Sequence, residues 1–200
     1  MDFSNGIVAL VILIFSAILH EVAHGYVADK LGDPTARLMG RLTLNPQKHI
    51  DLWMSIILPL LLLMSNSPVI FGAAKPVPID PFNLREGRKD VAIVSLAGPL
   101  TNILIAIAAA SVYRLLSPSV FSPFLFVVVQ INILLAIFNL LPIPPLDGSK
   151  VLALLLPEKE ANTYLSFGSI GFFVIFLLLL TGSLGFIFNL LNFAQRLLIP

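Results

Sequence analysis

The sequence contains no cysteine. A disulfide framework, a thiol nucleophile and any thiolate metal site are therefore excluded, and a metal held by this chain has only nitrogen and oxygen ligands available. Charge is scarce too. Asp, Glu, Lys and Arg make up 12% of the 200 residues, about half the share found in an ordinary soluble domain. The 12 basic and 11 acidic residues leave a net charge of +1, so there is no basic excess of the kind that recruits nucleic acid. What fills the chain is apolar: 58% hydrophobic residues and a mean hydropathy of +0.97, in runs longer than a buried core element needs. Composition and run length predict a multi-pass integral protein of a cellular membrane, in contact with the lipid bilayer.

The first apolar stretch, Gly6 to Ala28, follows Met1-Asp2-Phe3 without the basic leader of a secretory signal and reads as a retained span. The stretch Leu52 to Phe71 is apolar to Met64 and then meets Ser65-Asn66-Ser67-Pro68, a poor ending for a regular helix. Val91 to Tyr113 and Phe121 to Leu141 each supply the ~20 residues a spanning helix requires. Leu165 to Leu180 follows, then a turn at Gly182-Ser183-Leu184-Gly185 and a segment to Ile199. On that last segment Asn189, Asn192 and Arg196 recur as one polar face that packs inward or lies at the interface. Two polar stretches, Asp29 to Asp51 and Gly72 to Asp90, separate the early spans. Ala36 to Leu44 alternates in part and prolines hold Lys75 to Ile79 extended, so short membrane-associated β-strands are expected there. The expected architecture is an all-α polytopic bundle of about five to six membrane segments, one of them re-entrant. It forms a single domain over residues 1–200, with its core at 6–150 and C-terminal helical segments at 163–199.

Basic residues argue for the re-entrant segment. Lys30, Arg37, Arg41 and Lys48 lie in the first polar stretch, Lys75, Arg85, Arg88 and Lys89 in the second, and Lys150 and Lys159 further on. A full crossing by Leu52 to Phe71 would put the two richest stretches on opposite faces and abolish the cytoplasmic bias. Entry and exit on one side places all ten on the cytoplasmic face, against Arg114 outside.

Near the inner end of the first span stands His20-Glu21-Val22-Ala23-His24. On a helix, imidazoles four residues apart share one face and can close on a single zinc ion, while Glu21 projects beside them to take a proton from the attacking water. With three histidines and four glutamates, chance placement would produce this pattern about once in a thousand such chains. Ionisable residues in a membrane segment are costly and mark function by default. A catalytic zinc takes one more protein ligand, and two candidates present themselves. Asp147 follows Pro142, Pro144 and Pro145, which unwind the end of the fourth span, and Gly148 permits the sharp turn that could aim its carboxylate sideways. It shares a depth with His20 if the first and fourth spans are parallel, as the re-entrant reading requires. His49, in the first polar stretch near the same face, is the rival.

At these residues the chain resembles the site-2 protease family of intramembrane zinc metalloproteases, in its compact microbial form without a PDZ or CBS domain. The resemblance rests on the HExxH of the first span, on Ala97-Gly98-Pro99-Leu100-Thr101-Asn102 and on Asn139 to Gly148, and it covers roughly residues 16 to 150. It implies one zinc held by His20, His24 and Asp147, with Glu21 as catalytic base. It also implies cleavage of a transmembrane protein substrate near the cytoplasmic side, with Asn102 and Asn139 positioning the substrate backbone. On physical grounds alone, those asparagines serve equally as interhelical hydrogen-bonding groups. A transporter or metal carrier is the alternative from another class, but the repeated halves expected of one do not occur.

Overall fold

The computed structural model describes residues 3–65, 74–116 and 118–199. Over these residues the chain is helical. Helix α1 is Phe3–Leu31 and α2 is Thr35–Leu38; a π-helical turn, Leu52–Ile57, runs into α3, Leu58–Met64. Helices α4 (Arg88–Leu116), α5 (Ser122–Asn139), α6 (Asp147–Leu155), α7 (Glu158–Ser166), α8 (Gly168–Leu180) and α9 (Gly185–Leu198) follow.

Among the described residues, three helical stretches are long and apolar enough to cross a membrane: Gly6–Leu31 of α1, all of α4 and all of α5. A fourth is formed if α7 and Gly168–Leu178 of α8, bent by 60° at their junction, count as one span. Among the described residues, three to four segments thus qualify as membrane spans, against five to six expected membrane segments that included a re-entrant one. The π-turn and α3 contribute six and seven residues, and α9 has 14, all short of the ~20 that a crossing needs. The Asn66-Ser67-Pro68 break and the end of the Leu52 to Phe71 stretch lie outside the described residues.

Side-chain pairings set the directions of the long helices. His20 meets Asn102 and His24 meets Val94, so α1 and α4 are antiparallel; Ser16 meets Asn132 while His20 meets Asp147, so α1 and α5 run the same way. Ala28 near the end of α1, Leu84 and Val94 near the start of α4 form one apolar cluster. The chain between α1 and α4 thus leaves and rejoins the bundle at one end. Ala106, Ala109 and Ala110 of α4 pack against Val129 and Ile133 of α5 and Leu191 of α9, where small side chains allow close backbone approach. Helix α9 buries Ile187 and Leu191, whereas Asn189, Asn192 and Arg196 are exposed, so its polar face looks away from the bundle.

The expected strands are also corrected: among the described residues there is none. Ala36 to Leu44 falls partly in α2 and then turns, with Gly40 at φ +63°. Lys75 to Ile79 is extended but has no ladder partner. Pro76 and Pro78 lack an N–H, and several of the other backbone groups are engaged elsewhere. Lys75 N–H donates to the His49 carbonyl at 2.7 Å, and the Lys75 and Pro76 carbonyls accept from the Arg41 guanidinium at 2.9 and 3.1 Å. A fully buried carboxylate, Asp33, holds the two polar stretches together. It accepts from the Thr35 amide at 3.1 Å, the Thr35 hydroxyl, the Asp80 amide at 2.7 Å and the Asn83 side chain at 3.1 Å.

Candidate active site

The HExxH residues sit about two to three turns before the end of α1, where helical spacing puts Ser16, His20 and His24 on a single stripe. The two imidazoles meet edge to face, with centroids 4.6 Å apart and Nε2 atoms 3.0 Å apart. Asp147, 127 residues further along the chain, brings Oδ2 to within 3.2 Å of both nitrogens. All three side chains are buried.

Local chemistry explains how Asp147 gets there. The proline-rich turn from Pro142 to Pro145 ends α5, and Asp147 opens α6 as its first residue. A Cβ on Gly148 would run into the Leu140 carbonyl, so only glycine lets α6 start directly against the end of α5. At the far end of α6, the Arg88 guanidinium donates to the Ala153 carbonyl and, at 2.7 Å, to the Leu156 carbonyl. This ties the aspartate's helix to α4. Lys150 Nζ lies 3.1 Å from Asp147 Oδ1, which leaves Oδ2 turned toward the histidines.

The donor set suits a divalent ion. His24 Nδ1 donates to the Val94 carbonyl at 2.7 Å and His20 Nδ1 lies 2.6 Å from Asn102 Oδ1. Each ring thus keeps the lone pair of Nε2 for the centre, held by the partner on its other nitrogen. Ligand atoms around a tetrahedral zinc with bonds of about 2.0–2.2 Å lie about 3.3–3.5 Å apart; the three found here are 3.0, 3.2 and 3.2 Å apart. These residues are the group that could hold a metal ion among the described residues. Gly98 completes the pocket. A Cβ there would stand 2.5 Å from His20 Cε1, His20 Nε2 and His24 Nε2, so the glycine of Ala97 to Asn102 makes room for the two rings.

Glu21 is half-buried, and its Oε2 accepts from the Val77 amide at 2.7 Å. His49, the rival third ligand, is fully buried away from the three-residue group; its Nε2 donates to the Thr43 carbonyl at 2.8 Å. Asn102 is fully buried, with its amide turned to His20 and Asn132. Asn139 is half-buried and donates to the Leu135 carbonyl of its own helix at 3.0 Å. Sequence reasoning missed Asn132, Ser16 and Lys150. A signal for Asn132 existed: an amide inside an otherwise apolar spanning helix demands a partner.

The sequence is similar to those of known proteins over most of its length. A family model described as Peptidase family M50 matches residues 8–122 and 114–182. YwhC of Bacillus subtilis (strain 168), named as a zinc metalloprotease, is 37% identical over 186 residues, covering 88% of this chain and 81% of its own. Rip2 of Mycolicibacterium smegmatis, also named as a zinc metalloprotease, is 30% identical over 184 residues, covering 90% of this chain and 70% of its own. No solved structure matches. Sequence similarity over most of the chain and a histidine–histidine–aspartate group closed by distant segments lead to one assignment: the chain belongs to peptidase family M50, the site-2 protease family.

Proposed function

We propose that this protein is an intramembrane zinc endopeptidase of the cell membrane, which hydrolyses a peptide bond within a transmembrane segment of its substrate near the cytoplasmic side. The observation that carries the reading is the convergence of His20, His24 and Asp147 on one point with ligand spacing. One zinc per chain would be held by these three residues. When bound, it supplies Lewis acidity, which polarises a peptide carbonyl and makes an attacking water acidic enough to give up a proton near pH 7.

The chain's own groups do the rest. Glu21 takes that proton and returns it to the amine leaving group, and the Val77 amide anchors the carboxylate for the task. Asn139, half-buried at the end of α5, stands beside the unwound turn that delivers Asp147 and is assigned to the substrate backbone. Asn102, fully buried, serves His20 instead. A helical substrate hides its carbonyls in hydrogen bonds, so it must unwind before hydrolysis. The cytoplasmic assignment follows from Lys30, Arg37, Arg41, Lys48, Lys75, Arg85, Arg88 and Lys89, all in or beside the chain that leaves and rejoins the bundle at one end.

The test is cleavage of a model single-span protein in liposomes, with the products mapped by mass spectrometry. A chelator-sensitive cut inside the span, toward its cytoplasmic end, is expected. Cuts confined to loops outside the membrane, or metal flux into the liposomes without proteolysis, would overturn the reading.

A further inference from the structure

A chain of buried hydrogen bonds runs from His20 across three helices. His20 Nδ1 lies 2.6 Å from Asn102 Oδ1 on α4, and Asn102 Nδ2 donates at 2.9 Å to Asn132 Oδ1 on α5. Asn132 Nδ2 then donates at 2.9 Å to Ser16 Oγ on α1 and at 2.9 Å to the Val128 carbonyl of its own helix. Asn102 and Asn132 are 0% exposed and Ser16 is 4% exposed, so the chain is shielded from bulk solvent.

The polarity of the chain is fixed at one end. A backbone carbonyl can only accept, so Val128 requires the nitrogen end of the Asn132 amide, which turns the Asn132 oxygen to α4. That oxygen requires the nitrogen of Asn102, which turns the Asn102 oxygen to α1. The oxygen requires a proton on His20 Nδ1, and a neutral imidazole protonated at Nδ1 keeps its lone pair at Nε2. His24 reaches the same state through a single bond, from Nδ1 to the Val94 carbonyl. His20 has no backbone carbonyl in that place and faces a side-chain amide that could turn over. Reversed, the Asn102 amide would present N–H to the ring, favour the other tautomer and direct a proton at the centre.

We propose that Asn132 is a positioning residue: anchored by the Val128 carbonyl, it locks the Asn102 amide and thereby holds His20 in the tautomer whose Nε2 faces His24 and Asp147. The proposal rests on the reading of His20 as a metal ligand and adds the element that orients it. Ser16, on the same stripe as His20, takes the second proton of the Asn132 amide, so α1 supplies both ends of the chain. Partners of this kind behind a ligating histidine are worth about 10–100-fold in metal affinity.

The experiment compares wild type, Asn132→Leu and Asn132→Asp. The side-chain ¹⁵N shifts of His20 are read in metal-free protein, and zinc affinity is read by chelator competition. Leucine has similar volume and no polarity. Aspartate presents an acceptor to Asn102 whether protonated or not. The expected result is a His20 protonated at Nδ1 in wild type and Asn132→Asp, and a mixed or reversed tautomer in Asn132→Leu with zinc affinity lower by about 10–100-fold. A folded Asn132→Leu with wild-type tautomer and affinity would show that Asn132 only joins helices, and would overturn the proposal. If Asn132→Leu does not fold, the wild-type spectrum still decides: a metal-free His20 protonated at Nε2 is incompatible with the proposal. The tautomer is read without metal, so failure here is distinct from failure of the zinc reading, which shows as no zinc uptake by wild type.

Discussion

Glu21 and Val77, 56 residues apart in the sequence, are joined by a 2.7 Å hydrogen bond from the Val77 amide to the Glu21 carboxylate. Pro76 and Pro78 flank that amide and have none of their own, so the run presents a single donor at this point, aimed at the Glu21 carboxylate. The second polar stretch thus reaches the HExxH segment through Val77, although it supplies none of the three residues grouped for a metal ion.

Shortening the base should break this arrangement. Glu21→Asp cannot both reach the Val77 amide and keep its place beside the histidines. Cleavage is expected to fall by about 10²-fold or more, the scale of a general base, with zinc content unchanged. Steady-state cleavage of a single-span substrate alongside metal analysis checks it; wild-type rates would show that the Val77 contact is incidental.

Gly98→Ala is expected to strip the centre of metal while leaving the bundle intact. An alanine is better in a helix than glycine by about 1 kcal/mol, so α4 itself should not suffer. Its Cβ, however, would sit 2.5 Å from His20 and His24 ring atoms, inside van der Waals contact, and the rings must move. The variant should melt within a few degrees of wild type and bind zinc at least about tenfold more weakly, in line with disturbed ligand orientation. Unchanged affinity would mean the rings have room that the structure does not show.

His49→Leu should do the reverse. The buried hydrogen bond from His49 Nε2 to the Thr43 carbonyl is lost, leaving an unpaired acceptor and a stability cost of about 1–3 kcal/mol. Zinc occupancy should stay at the wild-type level. Loss of zinc from folded His49→Leu would return His49 to the ligand set.

Much of the centre was legible in the sequence because its chemistry is local. The spacing of His20, Glu21 and His24 is set by one helical turn, and the prolines before Asp147 announce an unwound turn on their own. What could not be read was the set of partners created by packing. Asn102 was visible as a polar residue in an apolar span, but that its oxygen faces His20 depends on the meeting of α1 and α4. The strands expected at Ala36 to Leu44 and Lys75 to Ile79 failed for a related reason. Alternation and proline predict an extended backbone, and the second run is extended, yet a strand exists only where a neighbour supplies the ladder. Here Arg41, His49 and Glu21 take those backbone groups instead. Length is what separates the spans from the shorter apolar runs: α9 has only 14 residues, below the ~20 that a crossing needs.

Asp33 should confer a pH-dependent stability on the polar stretches. Burial alone would raise its pKa, but the hydrogen bonds from Thr35, Asp80 and Asn83 outweigh it and hold the carboxyl below the ordinary range. A carboxyl depressed in the folded state stabilises the fold at pH values above its unfolded pKa of about 4, and that contribution is lost as the pH falls further. Asp33→Asn should therefore be less stable than wild type at pH 7, by about 1.5–3 kcal/mol for bonds to a charged acceptor. The gap should narrow progressively below about pH 4. Thermal melts of both proteins across that range test it, and a gap that widens in acid would refute the assignment.

On the proposed reading, His20, His24 and Asp147 hold a zinc ion which Glu21 uses to cut a membrane-spanning substrate. The most direct test measures zinc content and cleavage of a single-span substrate in liposomes for wild type, Glu21→Gln and Asp147→Ala in parallel. The expected result is about one zinc per chain and cleavage in wild type, zinc without cleavage in Glu21→Gln, and loss of both in Asp147→Ala. Full zinc occupancy in Asp147→Ala, or undiminished cleavage by Glu21→Gln, would contradict it.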